Sequence, residues 1–216
     1  MQKNPNTLFV GICGGSGSGK SHFLEKILVH YPADKICLIS QDDYYRPIEE
    51  QIPDENGIIN FDRPESFNEP LLFDHICQIL GGNSVQKAKY TFNNPALKSQ
   101  ILEYKPSPIT IIEGIFVFYY KRIAELMDIK LFIDSDEKIG LKRRISRDGP
   151  ERALSSEEVL YQWNNHVIPS YQNYSLPFRK EADLVIHNSE KPLDIQPLIH
   201  LINQRIQFTN PSNEHR

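Results

Sequence analysis

Eight consecutive residues, Gly14-Gly15-Ser16-Gly17-Ser18-Gly19-Lys20-Ser21, have the types and spacing of a phosphate-binding loop. They fit G-x-x-x-x-G-K-[ST], in which glycines let successive backbone N–H groups turn inward around phosphate oxygens. Lys20 is then placed to reach the β- and γ-phosphates, and the Ser21 hydroxyl to ligate Mg²⁺. The alternative is a glycine-rich turn that holds nothing. Context decides against it, because a buried-strand run (Thr7 to Cys13) leads in and a helix leads out. A helix N-terminus at this point adds its own partial positive charge.

The elements that position this loop follow from the hydrophobic pattern. Phe23, Leu24, Ile27 and Leu28 share one face of a helix from Lys20 to about His30, and Pro32 lies beyond its end. Apolar runs at 35–40, 110–112, 130–133 and 184–186 read as further buried strands. Helical stretches are predicted at 68–80, 118–127, 136–148, from Ser155 or Ser156 to Ile168 before Pro169, and at 193–206. Alternating strands and helices predict an α/β fold, a P-loop NTPase-type parallel sheet flanked by helices. Val85–Phe92 and Ile101–Lys105 read as two short antiparallel strands, a small excursion spanning about 84–105. Residues 46–60 read as loop, 207–216 as a loose tail, and the whole of 1–216 as a single domain.

Composition narrows the classes. Charged residues make up 24% of the 216 and the net charge is −4, which argues against a nucleic-acid coat protein and predicts no nucleic-acid partner. Cys13, Cys37 and Cys77 form no CxxC pair and the seven His form no ligand cluster, so a structural zinc site is not expected. No apolar stretch reaches 18 residues, and the first apolar run is too short for a signal peptide. A cytoplasmic protein with no membrane association and a small-molecule substrate is the expectation. A guanine-reading N/T-K-x-D segment is missing, and Asp54-Glu55-Asn56-Gly57 matches D-x-x-G only in a polar loop after Pro53, which reads as chance. Size favours a small-molecule kinase.

Four further segments sharpen this. They are Ser40-Gln41-Asp42-Asp43-Tyr44-Tyr45-Arg46, Asn60-Phe61-Asp62-Arg63-Pro64-Glu65-Ser66-Phe67, Ile111-Ile112-Glu113-Gly114-Ile115-Phe116, and Leu141 to Asp148 with Glu151-Arg152. In this order they resemble the uridine kinase family of P-loop nucleoside kinases, from about residue 8 to 187. The resemblance implies ATP (or GTP) as phosphate donor, Mg²⁺, a nucleoside acceptor and a possible homo-oligomer. It implies Asp42 as the base on the sugar 5′-hydroxyl and as an aid to Mg²⁺, with Glu113 as the acid on the metal's shell. Asp62 and Arg144 would bind the ribose hydroxyls. Tyr45, Tyr90, Phe92 and Gln162 would line the nucleoside pocket. Arg147 and Arg152, the latter from a lid at about 148–156, would neutralise the transferring phosphoryl group. Arg144 and Arg147 are three apart on one helical face, and the rival for this basic cluster is a solvated helix edge paired with Asp136, Glu137 and Asp148.

The sequence departs from the family where the base is read. Pro95 stands at the place of the family's histidine in Tyr90-Thr91-Phe92-Asn93-Asn94-Pro95, and Leu154 at the place of its second lid arginine. Neither side chain can donate a hydrogen bond, so the expectation is an intact phosphoryl-transfer site with altered or relaxed acceptor specificity. Two other readings stay open: a phosphoribulokinase- or pantothenate kinase-like acceptor, and a nucleotide-binding regulator without turnover. Phe61, Phe67, Phe73 and Phe116 read as core, Trp163 and His166 as packing or capping, and His75 as having no partner.

Overall fold

The computed structural model describes residues 3–91, 98, 100–152, 154–189 and 193–209, the side chains of 150–152 and 207–209 excepted. In chain order the strands are β1 (Leu8–Cys13), β2 (Ile36–Ser40), β3 (Val85–Ala88), β4 (Ile101–Tyr104), β5 (Ile109–Gly114), β6 (Ile129–Asp134) and β7 (Leu184–His187). The helices are α1 (Lys20–His30), α2 (Glu69–Leu80), α3 (Lys121–Ala124), α4 (Glu137–Arg152), α5 (Ser156–Gln162), α6 (Ile168–Ser170) and α7 (Gln196–Thr209). Five strands pair in parallel in the order β2-β5-β1-β6-β7, while β3 and β4 form a separate antiparallel pair.

Every residue of β1 is buried, which is why its sequence is a continuous apolar run. Leu8, Val10 and Ile12 face one side, against Phe23 and Ile27 of α1 and Leu198 and Ile202 of α7. Phe9 and Cys13 face the other, against Leu72, Ile76 and Ile79 of α2. At ~1.5–3 kcal/mol for each large side chain buried, these two layers supply the main force that fixes the sheet. From β1 the chain runs through α1 to β2, beyond β5; from β5 it runs through α3 to β6, on the far side of β1. The two connections leave in opposite directions and open a crevice at the carboxyl ends of β1 and β5, the place where such sheets bind ligands.

Several elements differ from expectation. Helix α3 is only four residues long, not ten: Phe116, Val117, Phe118 and Tyr120 are all buried, and four inward side chains in five positions cannot share one helical face. Helix α4 continues past Asp148 to Arg152, its last turns tied by ion pairs from Asp148 to Arg144 and Arg147. Ser155 caps α5 through a reciprocal box with Glu158. The helical path then passes Pro169 instead of stopping before it. Two π-type turns, Trp163–Val167 and Tyr171–Ser175, flank α6, with Ile168 N–H bonded to the Trp163 carbonyl five residues back. The wider turn makes room for the proline ring, which has no N–H to place.

Helix α7 starts three residues late, where Asp194 accepts the Gln196 N–H, and takes in 207–209, expected as part of a loose tail. The β3–β4 excursion is anchored by Asp43, which accepts from Tyr104 Oη (3.1 Å) and the Tyr90 N–H (3.3 Å). Phe92, Asn93, Asn94 and Pro95 lie outside the described residues. His75, read as lacking a partner, lies 3.0 Å from Tyr44 Oη through Nδ1. Cys13 and Cys37 are buried free thiols, and burial pushes the Cys13 thiol up to about 12. Among the described residues no helix is long and apolar enough to cross a membrane.

Candidate active site

The loop from Gly14 to Ser21 joins β1 to α1 at the crevice. Gly17 and Gly19 hold φ of 73° and 93°, the left-handed region that a glycine enters without strain. A Cβ on Gly17 would stand 2.4 Å from the Gly140 carbonyl oxygen, so loop and α4 approach at backbone distance. The outer carbonyls of the loop are occupied: Asn188 Nδ2 donates to Ser18 O at 2.7 Å and Arg143 Nη1 to Gly17 O at 3.2 Å. With its carbonyls drawn outward, the loop is free to turn N–H groups toward the crevice. Lys20 Nζ donates to the Gly14 and Gly15 carbonyls (2.9 and 3.3 Å), folded over the hollow it would share with a phosphate chain.

Two acids face this hollow from neighbouring strand ends. Asp42 follows β2 in a short 3₁₀ turn whose entry is capped by Ser40 Oγ, accepting the Asp42 N–H at 3.3 Å. Glu113 lies near the end of β5 and accepts from the Ser40 hydroxyl at 2.5 Å. Burial pushes the Glu113 carboxyl up, Lys20 pulls it down, and the neighbouring Asp42 charge pushes it up again. Lys20, Ser21, Asp42 and Glu113 all line one cavity of about 360 Å³. Among the described residues no group of three or more His, Cys, Asp and Glu could hold a metal alone. A hydroxyl and two crowded carboxylates suit Mg²⁺, which keeps waters and completes its shell with substrate phosphates.

Arg144 is enclosed in the same wall, 4% exposed, and is no solvated helix edge. It meets Asp62 at 3.5 Å and Asp148 at 3.1 Å, and donates to Gln162 Oε1 and Ser16 Oγ, each at 3.1 Å. Its contact with Asp148 is Coulombic, since the Nε–H does not point along the line between them. Arg147 Nε donates to the other oxygen of Asp148 at 2.7 Å. One carboxylate with no exposed surface therefore holds two guanidinium groups, both lining the cavity. The side chain of Arg152 lies outside the description.

Tyr45, Phe61, Asp62 and Gln162 also line this cavity. Tyr45 stacks on Phe67 at 4.1 Å and meets Phe61 edge-on at 5.8 Å. Phe61 is thus only half-buried at the cavity, where core was expected, while Phe67 and Phe116 are core. Tyr90 packs on the outer side of Tyr45 at 5.2 Å, away from this cavity. Gly14, Gly15 and Ser18 also stand behind it; Gly15 and Ser18, with Ser16, border a second hollow of about 120 Å³ beside Trp163 and Tyr171.

Sequence reading missed four participants. Arg143 sits inside a quoted motif but drew no role, and Asn188 carries no local signal. Asp54, dismissed with its chance D-x-x-G match, accepts from His166 Nε2 at 2.7 Å and Tyr161 Oη at 2.8 Å. His166 is 2% exposed and lines the cavity.

A parallel sheet in this order, with a G-x-x-x-x-G-K-S loop at its switch point, defines a P-loop kinase fold. Residues 9–193 match the Phosphoribulokinase / Uridine kinase family, and the chain belongs to that family. It is 36% identical over 186 residues to a uridine kinase of Streptococcus thermophilus, covering 86% of this chain and 87% of that one. It is 32% identical over 212 residues to a uridine kinase of Brevibacillus brevis, covering 96% and 99%. Among solved structures, phosphoribulokinase from Rhodobacter spheroides superposes with a TM-score of 0.64 at 15% identity, over 86% of this chain and 71% of that one. That last likeness bears on the fold.

Proposed function

We propose that the protein transfers the γ-phosphoryl group of ATP, with Mg²⁺, to the 5′-hydroxyl of a pyrimidine nucleoside. The observation that carries this is a single cavity shared by Lys20 and Ser21, by Asp42 and Glu113, and by the Asp62–Arg144 pair. Family membership and relatives named uridine kinase support the same reading.

The loop amides and Lys20 hold the triphosphate, Lys20 exchanging its two loop carbonyls for phosphate oxygens. Ser21 and Glu113, with Asp42 beside them, would hold Mg²⁺, which would supply positive charge against the negative triphosphate. Asp62 and Arg144 take the ribose 2′- and 3′-hydroxyls and so aim the 5′-hydroxyl. Asp42 orients that hydroxyl and accepts its proton as the oxygen bonds to the γ-phosphorus. The β–γ bridging bond breaks and ADP leaves. In a loose transition state positioning matters more than basicity, which suits a carboxylate as the base. Arg147 sits beside the same cavity to offset charge on the equatorial oxygens, with Arg152 as its partner from the resemblance.

The test is ATP consumption with Mg²⁺ against uridine, cytidine and a panel of other alcohols, with the product identified by ³¹P NMR. A nucleoside 5′-monophosphate is the expected product. Turnover of a non-nucleoside alcohol alone, or nucleotide binding without turnover, overturns the reading.

A further inference from the structure

His166 and Asp54 come from segments 112 residues apart and meet at the cavity wall. Asp54 Oδ1 accepts the backbone N–H of Asn56 and of Ile58, both at 2.9 Å, which fixes the turn at 54–58. Asp54 Oδ2 accepts from Tyr161 Oη and faces His166 Nε2. Burial raises the Asp54 carboxyl, but hydrogen bonds from His166, Tyr161 and the two amides outweigh it and hold the group well below the usual carboxylate range. An ionised carboxylate only accepts, so Nε2 carries the ring proton and, in the neutral ring, Nδ1 is left as an acceptor. Among the described residues Nδ1 has no protein partner.

One helical turn earlier stands Gln162. Its Oε1 accepts from Arg144, a group that can only donate, so the amide orientation is settled and Nε2 is a donor with no described partner. Asp62, on the same Arg144, and Phe61, edge-on to Tyr45, adjoin this end. His166 and Gln162 thus both line the cavity with Tyr45 and Phe61, and each keeps one polar atom, an acceptor on the first and a donor on the second, without a described protein partner.

We infer that His166, its tautomer set by Asp54, reads the acceptor's base together with Gln162: Nδ1 accepts a ring or exocyclic N–H and Gln162 Nε2 donates to the neighbouring carbonyl or ring nitrogen. The ligand class is a pyrimidine edge with one N–H beside one acceptor atom, as in uracil. His166 and Gln162 are binding residues; Asp54 is a positioning residue that acts through His166. The inference rests on the nucleoside kinase reading.

Asp54→Asn tests it sharply. The two backbone N–H groups keep the amide oxygen where Oδ1 stands, so Nδ2 replaces Oδ2 and donates to His166 Nε2. The ring proton then moves to Nδ1, and an acceptor becomes a donor. His166→Phe removes the group altogether. Steady-state kinetics compare uridine with 3-methyluridine, which lacks the N3–H, alongside thermal melts of each variant. We expect both variants to raise the uridine KM about tenfold. The ATP KM and the kcat/KM for 3-methyluridine should stay within about twofold of wild type. Asp54→Asn, which keeps the turn, carries the test should His166→Phe fail to fold. If wild type phosphorylates uridine and Asp54→Asn keeps its uridine KM, the inference is wrong while the kinase reading stands. Equal rises in the KM for ATP and uridine would mean a merely structural role and also overturn it. If wild type phosphorylates no nucleoside, the inference falls together with the reading beneath it.

Discussion

Replacing Asp148 by Asn removes one charge and almost no volume from the junction of α4 with the cavity. Asp148 has no exposed surface and lies 3.1 Å from Arg144 Nε and 2.7 Å from Arg147 Nε. At an effective dielectric of about 20, a pair at this distance attracts by roughly 5 kcal/mol before desolvation is counted. Removing one partner of a buried pair costs about 3–5 kcal/mol, because the other charge stays behind. Here Arg144 keeps Asp62, Arg147 is 38% exposed and can turn to water, and Asn retains one acceptor oxygen. The expected loss is therefore about 2–3 kcal/mol, which for a domain of this size lowers Tm by about 4–12 °C. Thermal unfolding followed by circular dichroism reads it directly. Burial also means that 0.5 M NaCl should leave most of the difference in place, whereas a surface pair would be screened. Because both arginines line the cavity, kcat should fall as well. A Tm within 2 °C of wild type (roughly the shift of 1 kcal/mol or less), or a difference erased by salt, would refute the claim that this carboxylate organises the arginines.

Asn188→Ala leaves the Ser18 carbonyl with only a distant guanidinium contact at 3.5 Å. About 1–2 kcal/mol of loop order is lost, and the ATP KM should rise several-fold while the acceptor KM holds, a split that steady-state kinetics resolves. For Asp54, whose folded-state pKa lies below its unfolded value, the stabilisation is present above about pH 4 and is lost as pH falls further. The Tm gap between wild type and Asp54→Asn should accordingly shrink as pH falls below 4. A gap that widened below pH 4 would contradict the assigned hydrogen bonds.

What could be read in advance was what lies contiguous in the chain. The phosphate loop is eight adjacent residues, and Asp42 and Glu113 betray themselves by following or closing apolar runs that are strands. The five-stranded sheet was legible for the same reason, since strands buried on both faces write themselves as unbroken apolar runs. Helix limits were less so. Pro169 reads locally as a stop, and only the π-type turns around it, set by tertiary packing of Trp163, Val167 and Ser175, let the path continue. Polar partnerships across the fold left no trace at all. Asn188 closes on Ser18 across 170 residues and Asp54 on His166 across 112, and an isolated Asn or Asp in a loop looks the same with or without such a partner. Phe61 shows a further limit: an aromatic in a binding wall and one in a core have the same sequence signature.

The central claim is that Asp42, across the hollow from the phosphate loop, primes an alcohol for attack without itself holding the nucleotide. It is tested most directly by measuring single-turnover phosphate transfer from ATP to uridine in Asp42→Asn, beside the affinity of the same variant for ADP without Mg²⁺. The account predicts transfer slowed by about 10²–10⁴-fold with ADP affinity within about twofold of wild type. Transfer at the wild-type rate in Asp42→Asn would contradict it.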